Sequence, residues 1–212
     1  MNNLIIAIDG PAGSGKGRIA KYISNKYNLY HLDSGILYRR LALIILDSKI
    51  DYNNELELKK MLQSTKTLSD RKSKKLRKEN ISKVSSKIAI LPKIREFIDK
   101  HQKMIVEKKL KKFSGCVVDG RDIGTKVFKS AKIKLFIYVK AEIRAKRRHK
   151  QLIDIGEKSI YSHILKEIKL RDKLDKNRIE SPLKPAIDSI QIDNSLNFKK
   201  TIQQINLALK KI

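Results

Sequence analysis

The plainest chemistry in the chain lies in eight consecutive residues, Gly10-Pro11-Ala12-Gly13-Ser14-Gly15-Lys16-Gly17. Glycines let a backbone wrap closely around a polyphosphate. Successive N–H groups then point inward as an anion nest. A helix starting at the end of the loop adds its positive end. Lys16 supplies a point charge that reaches the β- and γ-phosphates. A phosphate loop usually carries Ser or Thr after its lysine, with the hydroxyl on Mg²⁺. Here Gly17 and then Arg18 follow, and neither has a hydroxyl. The metal then needs phosphates, water and a carboxylate from elsewhere. Asp119, at the end of an apolar run, is the candidate, with a structural carboxylate capping a turn as the alternative.

Three other constellations carry charge where a substrate could be held. One is Leu32-Asp33-Ser34-Gly35 followed by Tyr38-Arg39. Another is Asp119-Gly120-Arg121-Asp122-Ile123-Gly124-Thr125. The last runs from Arg171-Asp172 through Asp175 to Arg178, with Ser181-Pro182-Leu183-Lys184-Pro185-Ala186 after it. On a helix, positions 171, 175 and 178 share a face, so two guanidinium groups would flank a carboxylate. Taken alone, that pattern reads first as a salt-bridged solvent face.

Such loops need strands that end where the loops begin. The runs at 4–8, 115–118 and 133–139 read as buried strands, with a short strand at 30–32 and a last one at 187–192. Helices are expected at 15–26, 35–46, 158–175, from Ala141 and from Asn197. Another spans 81–112 with a break at Pro92. Strands alternating with helices predict an α/β fold with a doubly wound parallel sheet. In such a sheet the site lies at the carboxyl ends of the strands. Residues 51–86 are polar, basic and poor in apolar residues, and read as a mobile insertion or a small subdomain.

Composition removes several classes of function. A single cysteine, Cys116, excludes an internal disulfide framework and fits a reducing compartment. The four histidines show no metal-ligand spacing. No apolar run approaches the ~20 residues of a membrane span. The N-terminus lacks a basic n-region, and Asp9 interrupts its apolar run early. A cytoplasmic protein with no membrane partner is expected. With 49 Lys+Arg against 22 Asp+Glu, the formal charge is +27. That charge suits nucleic acid, solvated lysine-rich helix faces, or an anionic small substrate. Aromatic residues make up 6% and there is no Trp, so platforms for stacking bases are scarce and no dedicated nucleic-acid partner is expected.

Together, the ordered blocks 10–17, 32–39, 119–125, Arg147-Arg148, 171–178 and 181–186 resemble the bacterial cytidylate kinases, within the nucleoside monophosphate kinases. The resemblance covers most of the chain. It implies a single P-loop NTPase-type domain over 1–212, a parallel sheet flanked by helices. It also implies a small nucleoside-monophosphate-binding insertion, here a reduced one at 51–86, and a helical lid at 144–175. The implied reaction is in-line transfer of the γ-phosphoryl group of ATP, with Mg²⁺, to CMP or dCMP by a monomer.

Roles follow by position. Gly10, Pro11, Ala12, Gly13, Ser14, Gly15, Lys16, Gly17 and Arg18 match the donor-binding loop. Asp119 matches the metal's carboxylate, acting through water. Lys16, Arg121, Arg147, Arg148 and Arg178 match the catalytic cations. Arg39, Arg121 and Arg178 match the clamp on the acceptor phosphate, and Ser34 a phosphate- or sugar-side contact. Asp175, with Arg171 beside it, matches the ribose-reading group. Ser86, Arg95 and Asp122 match the cytosine-reading set. Three rivals remain open: a kinase for UMP, AMP or another acceptor, a nucleic-acid binder using ATP as a ligand, and an enzyme that has lost its activity.

Overall fold

A computed structural model describes residues 4–154 and 156–210. They form two compact units. The first comprises the residues up to His31 together with those from Ser114 onward, and the second is Leu32–Phe113.

The chain opens with β1 (Leu4–Asp9), α1 (Lys16–Tyr27) and β2 (Tyr30–Asp33). The second unit carries α2 (Ser34–Asp47), α3 (Glu55–Ser64), α4 (Glu79–Ile88) and α5 (Pro92–Leu110). The remainder is β3 (Gly115–Gly120), β4 (Ile133–Tyr138), α6 (Ala141–Asp154), α7 (Tyr161–Asn177), β5 (Ile190–Asp193) and α8 (Phe198–Leu209). The five strands form one sheet in the order β2-β3-β1-β4-β5. β1 runs parallel to β3 on one side and to β4 on the other, and β5 runs parallel to β4. The expected parallel α/β sheet is therefore present.

Its physics is that of a sheet covered on both faces. All six residues of β3 are buried, as are the last four of β1. Ile6, Ile8, Val117, Leu135 and Ile137 pack with Ile19 and Ile23 of α1 and Ile205 of α8. Alternation would have left one strand face wet, whereas continuous apolar runs bury both. The last strand is shorter than the sequence suggested, because Ile187 is fully exposed and pairing starts at Ile190.

The second unit has its own core. Leu37, Leu41 and Ile45 of α2 pack with Ile81 and Ile88 of α4 and with Ile94 and Ile98 of α5. Segment 51–86 proves more ordered than its composition suggests. Asn54 caps α3, its side chain accepting from the N–H groups of Leu56 and Glu57. Leu58, Met61 and Leu68 reach the same core. Lysines hide this helix in sequence because only one narrow stripe of it is apolar. Pro92 separates α4 from α5 as two helices. Leu91 before it is extended, as a residue preceding proline prefers, and Pro92 takes the first helical position.

Candidate active site

β1 occupies the place where strand order reverses, between β3 and β4, and the Gly10–Gly17 loop leaves from its carboxyl end. Such a switch point is where open parallel sheets form crevices. Two glycines there are required by close approach. A Cβ on Gly10 would lie 2.5 Å from the carbonyl oxygen of Ile137. At Gly15, with φ of 86°, it would lie 2.3 Å from Nδ2 of Asn194.

Three carbonyls of the loop are held by donors. Lys16 Nζ donates to Pro11 (3.1 Å), Arg144 Nη1 to Ala12 (2.9 Å) and Asn194 Nδ2 to Ser14 (2.7 Å). The planar peptide puts each following N–H opposite its carbonyl, so the amides of Gly13 and Gly15 face away from Arg144 and Asn194. Backbone N–H groups turned to one side of a loop are what an anion nest uses. Thr201 of α8 fixes Asn194 by donating to its Oδ1 at 2.8 Å. Arg18 is exposed and turned out of the loop, its guanidinium 3.8 Å above the ring of Phe198.

Asp9, the last residue of β1, sits almost wholly buried. Its two carboxylate oxygens accept from the N–H groups of Ile123 and Gly124, both at 2.8 Å. These contacts anchor a short π-helical turn, Ile123–Val127, directly after Asp122. Burial pushes the Asp9 carboxyl up to about 6 despite the two amides and nearby Lys16, and the charge of Asp122 adds to the rise. Asp122 itself is buried.

Arg121 Nε donates to Asp175 Oδ2 at 2.9 Å, and Arg178 Nη1 lies 3.8 Å from Asp175 Oδ1. Arg178 follows α7 as an extended residue, so the shared face survives by proximity and not by helix continuation. Burial raises the Asp175 carboxyl, but Arg121, Arg171 and Arg178 together outweigh it, leaving the group below the usual carboxylate range. Asp175 thus gathers two of the expected phosphate-clamping arginines.

The basic helix α6 divides its cations. Arg144 is buried, donating to Val139 as well as to Ala12, and it makes a bidentate pair with Asp172 of α7. Arg147 donates to the carbonyls of Ser195 (3.1 Å) and Leu196 (3.0 Å), and Arg148 is exposed. Of the expected acceptor-binding residues, Ser34, Arg39, Ser86 and Arg95 belong to the second unit. Ser34 is buried at the start of α2, and Arg39 lies one turn further along that helix. Arg95 is buried on α5, donating to Ala89 at 2.9 Å, and Ser86 donates to Ser82 on α4.

Asp119 at the end of β3 is buried, and His31 Nε2 lies 2.7 Å from its Oδ1. Its Oδ2 lies 3.9 Å from where a Cβ on Gly17 would sit. The described residues contain no group of three or more His, Cys, Asp or Glu able to hold a metal ion. A single hard carboxylate beside a phosphate loop still fits Mg²⁺. That ion keeps much of its water and commonly takes one or two carboxylates plus substrate phosphates.

Sequence reasoning passed over Asp9, Asn194, Arg144 in its buried role, and His31. Asp9 ends β1 and Asn194 directly follows β5, each at a strand's carboxyl end. That placement is the signal that could have found them.

A phosphate cradle at the switch point of a parallel sheet, with an arginine cluster on the same unit, defines a P-loop phosphotransferase. Within that class, the chain belongs to the cytidylate kinase family, whose sequence model matches residues 6–211. A cytidylate kinase of Fusobacterium nucleatum subsp. nucleatum is 36% identical over 222 residues, covering 100% of both chains. One of Rickettsia bellii is 39% identical over 204 residues, covering 96% of this chain and 91% of the relative. In fold alone the chain resembles the Thermus thermophilus protein TT1252, with a TM-score of 0.53 and 14% identity over 100% of this chain and 99% of the other. A Eubacterium ventriosum protein gives a TM-score of 0.52 and 19% identity over 98% of each chain. No described helix is long and apolar enough to cross a membrane.

Proposed function

We propose that this enzyme transfers the γ-phosphoryl group of ATP to CMP or dCMP, giving ADP and CDP or dCDP. The observation that carries the reading is the phosphate loop, with the carbonyls of Ala12 and Ser14 tied by Arg144 and Asn194 and Lys16 Nζ on that of Pro11, in a member of the cytidylate kinase family.

Transfer is direct and in line. The acceptor phosphate is already an anion at neutral pH, so no general base is needed. Catalysis is positioning plus charge neutralisation. Lys16 holds the β- and γ-phosphates. Arg39, Arg121 and Arg178 are the residues proposed for the acceptor phosphate. Bidentate guanidinium contacts orient it against like charge. Asp175 reads the ribose hydroxyls with Arg171 and keeps Arg121 and Arg178 from splaying apart. Ser34 makes a phosphate- or sugar-side contact. Asp119 holds Mg²⁺ through water. When bound, the ion neutralises developing charge on the phosphates.

Asp122, Arg95 and Ser86 read cytosine. A carboxylate accepts from the exocyclic amine at C4, where uracil carries a carbonyl that it would repel. Arg147 and Arg148 belong to a lid at 144–175, in which Ile155 lies outside the described residues. Segment 51–86 is the acceptor-side insertion. The enzyme is proposed to act as a monomer. The buried, unbridged Cys116 suits a reducing cytoplasm.

A coupled assay of ADP release, with ATP and Mg²⁺ and with CMP, dCMP, UMP and AMP offered in parallel, tests the reading. CMP and dCMP should turn over well above UMP and AMP. Equal rates on all pyrimidine nucleotides would remove the role of Asp122. A folded sample without acceptor-dependent ADP would overturn the proposal.

A further inference from the structure

The phosphate loop lacks the hydroxyl that usually meets the metal, and the geometry shows what stands in its direction. A side chain at position 17 would start 3.9 Å from Asp119 Oδ2. The carboxylate therefore lies next to the space that a Ser or Thr at this position would enter. Without that hydroxyl, the protein's hold on the ion falls more heavily on one carboxylate. The rotation of that carboxylate then matters more than usual.

Asp119 can turn about its side-chain bonds unless something holds it. His31, the second residue of β2, lies with Nε2 2.7 Å from Oδ1. Both side chains are nearly dry, 10% exposed for His31 and 5% for Asp119. A charge-assisted hydrogen bond at that distance, out of water, is among the stronger polar contacts. It engages Oδ1, and Oδ2 lies on the side of Gly17. Groups behind a metal's carboxylate tune its affinity in this way.

We infer that His31 is a positioning residue for the divalent cation. Its imidazole holds Asp119 Oδ1 so that Oδ2 presents to the ion beside the phosphate loop, in place of the missing loop hydroxyl. The inference rests on the assignment of Asp119 to the metal. It predicts a residue type at 31 that must donate a hydrogen bond across this distance. It assigns His31 no contact with the nucleotide.

Mn²⁺ serves as the probe. Its affinity in the presence of saturating ADP is read from the free-ion signal in electron paramagnetic resonance, with ADP affinity without metal as the control. His31→Leu should weaken Mn²⁺ about tenfold while metal-free ADP binding stays unchanged. His31→Gln, which keeps a donor at similar reach, should stay within about threefold of wild type, and the shorter His31→Asn should behave like Leu. If the Leu variant does not fold, the Asn and Gln pair carries the test. Unchanged Mn²⁺ affinity in the Leu or Asn variant would overturn the role of His31. Asp119→Asn separates the two levels. Loss in that variant alone keeps the metal assignment and removes His31, whereas no loss in any variant removes the metal assignment as well. Equal weakening in the Gln and Leu variants would also overturn the inference, because it would mark a packing role.

Discussion

At the scale of single residues, three side chains make separable demands. Lys16→Ala removes the central cation and should lower kcat by roughly a hundredfold or more without loss of fold, checked by circular dichroism beside the ADP-release assay. Asp122→Asn should narrow the preference for CMP over UMP, read as the ratio of kcat/KM values. Asp9 makes a pH prediction. Its folded carboxyl lies near 6 against an ordinary value of 3.8, so the native state binds this proton more tightly than the unfolded chain. Its contribution is fully present below about 4 and is lost as pH rises through 6. Asp175, held low by its arginines, contributes in the opposite direction, losing stability as pH falls. Chemical denaturation of wild type against Asp9→Asn isolates the first effect. The wild type should lose roughly 1–3 kcal/mol between pH 4 and 6 that the variant does not.

At the scale of elements, the carboxyl edge of the sheet is the organiser. β1 delivers Asp9 and the phosphate loop, β2 delivers His31, β3 delivers Asp119 and Arg121, and β5 delivers Asn194. Two helices, α6 and α7, are tied to this edge by the pair of buried Arg144 and half-buried Asp172. Arg144 also holds Ala12, so one side chain spans the donor loop and the helix that carries Arg171 and Asp175. Breaking a buried pair leaves one charge uncompensated. Arg144→Met should therefore cost about 3–5 kcal/mol in urea unfolding. Replacing both partners, Arg144→Met with Asp172→Leu, should recover part of that loss. A double variant no better than the single would show that the carbonyl contacts, not the ion pair, carry the effect.

At the scale of the whole molecule, a formal charge of +27 on 212 residues opposes compaction through self-repulsion. Salt screens that repulsion within about 10 Å at 0.1 M. Thermal unfolding should therefore shift upward when NaCl rises from roughly 10 to 150 mM. A falling midpoint would mean that the ion pairs outweigh the excess charge. Each unit holds its own apolar core, so the second unit's helices do not depend on the sheet for a place to bury Leu37, Ile81 or Ile94.

The sequence by itself determined the features whose physics is local. Continuous apolar runs must become buried strands, as 4–8 and 115–118 do. Glycines followed by a lysine between strand and helix must make a phosphate loop. Proline at 92 must separate two helices. These residues carried the family and the reaction class before any coordinate. The tertiary structure decided what depends on neighbours far along the chain. Only packing could place Asn194 behind Gly15, bury Arg144 against Ala12, or seat Asp9 under the turn at 123–127. Only packing could show that Arg18 stacks on Phe198 and that α3 forms in a lysine-rich stretch. The reason is the same in each case. Whether a side chain is solvated decoration or a buried positioning group depends on what surrounds it, and its surroundings come from residues distant in the chain.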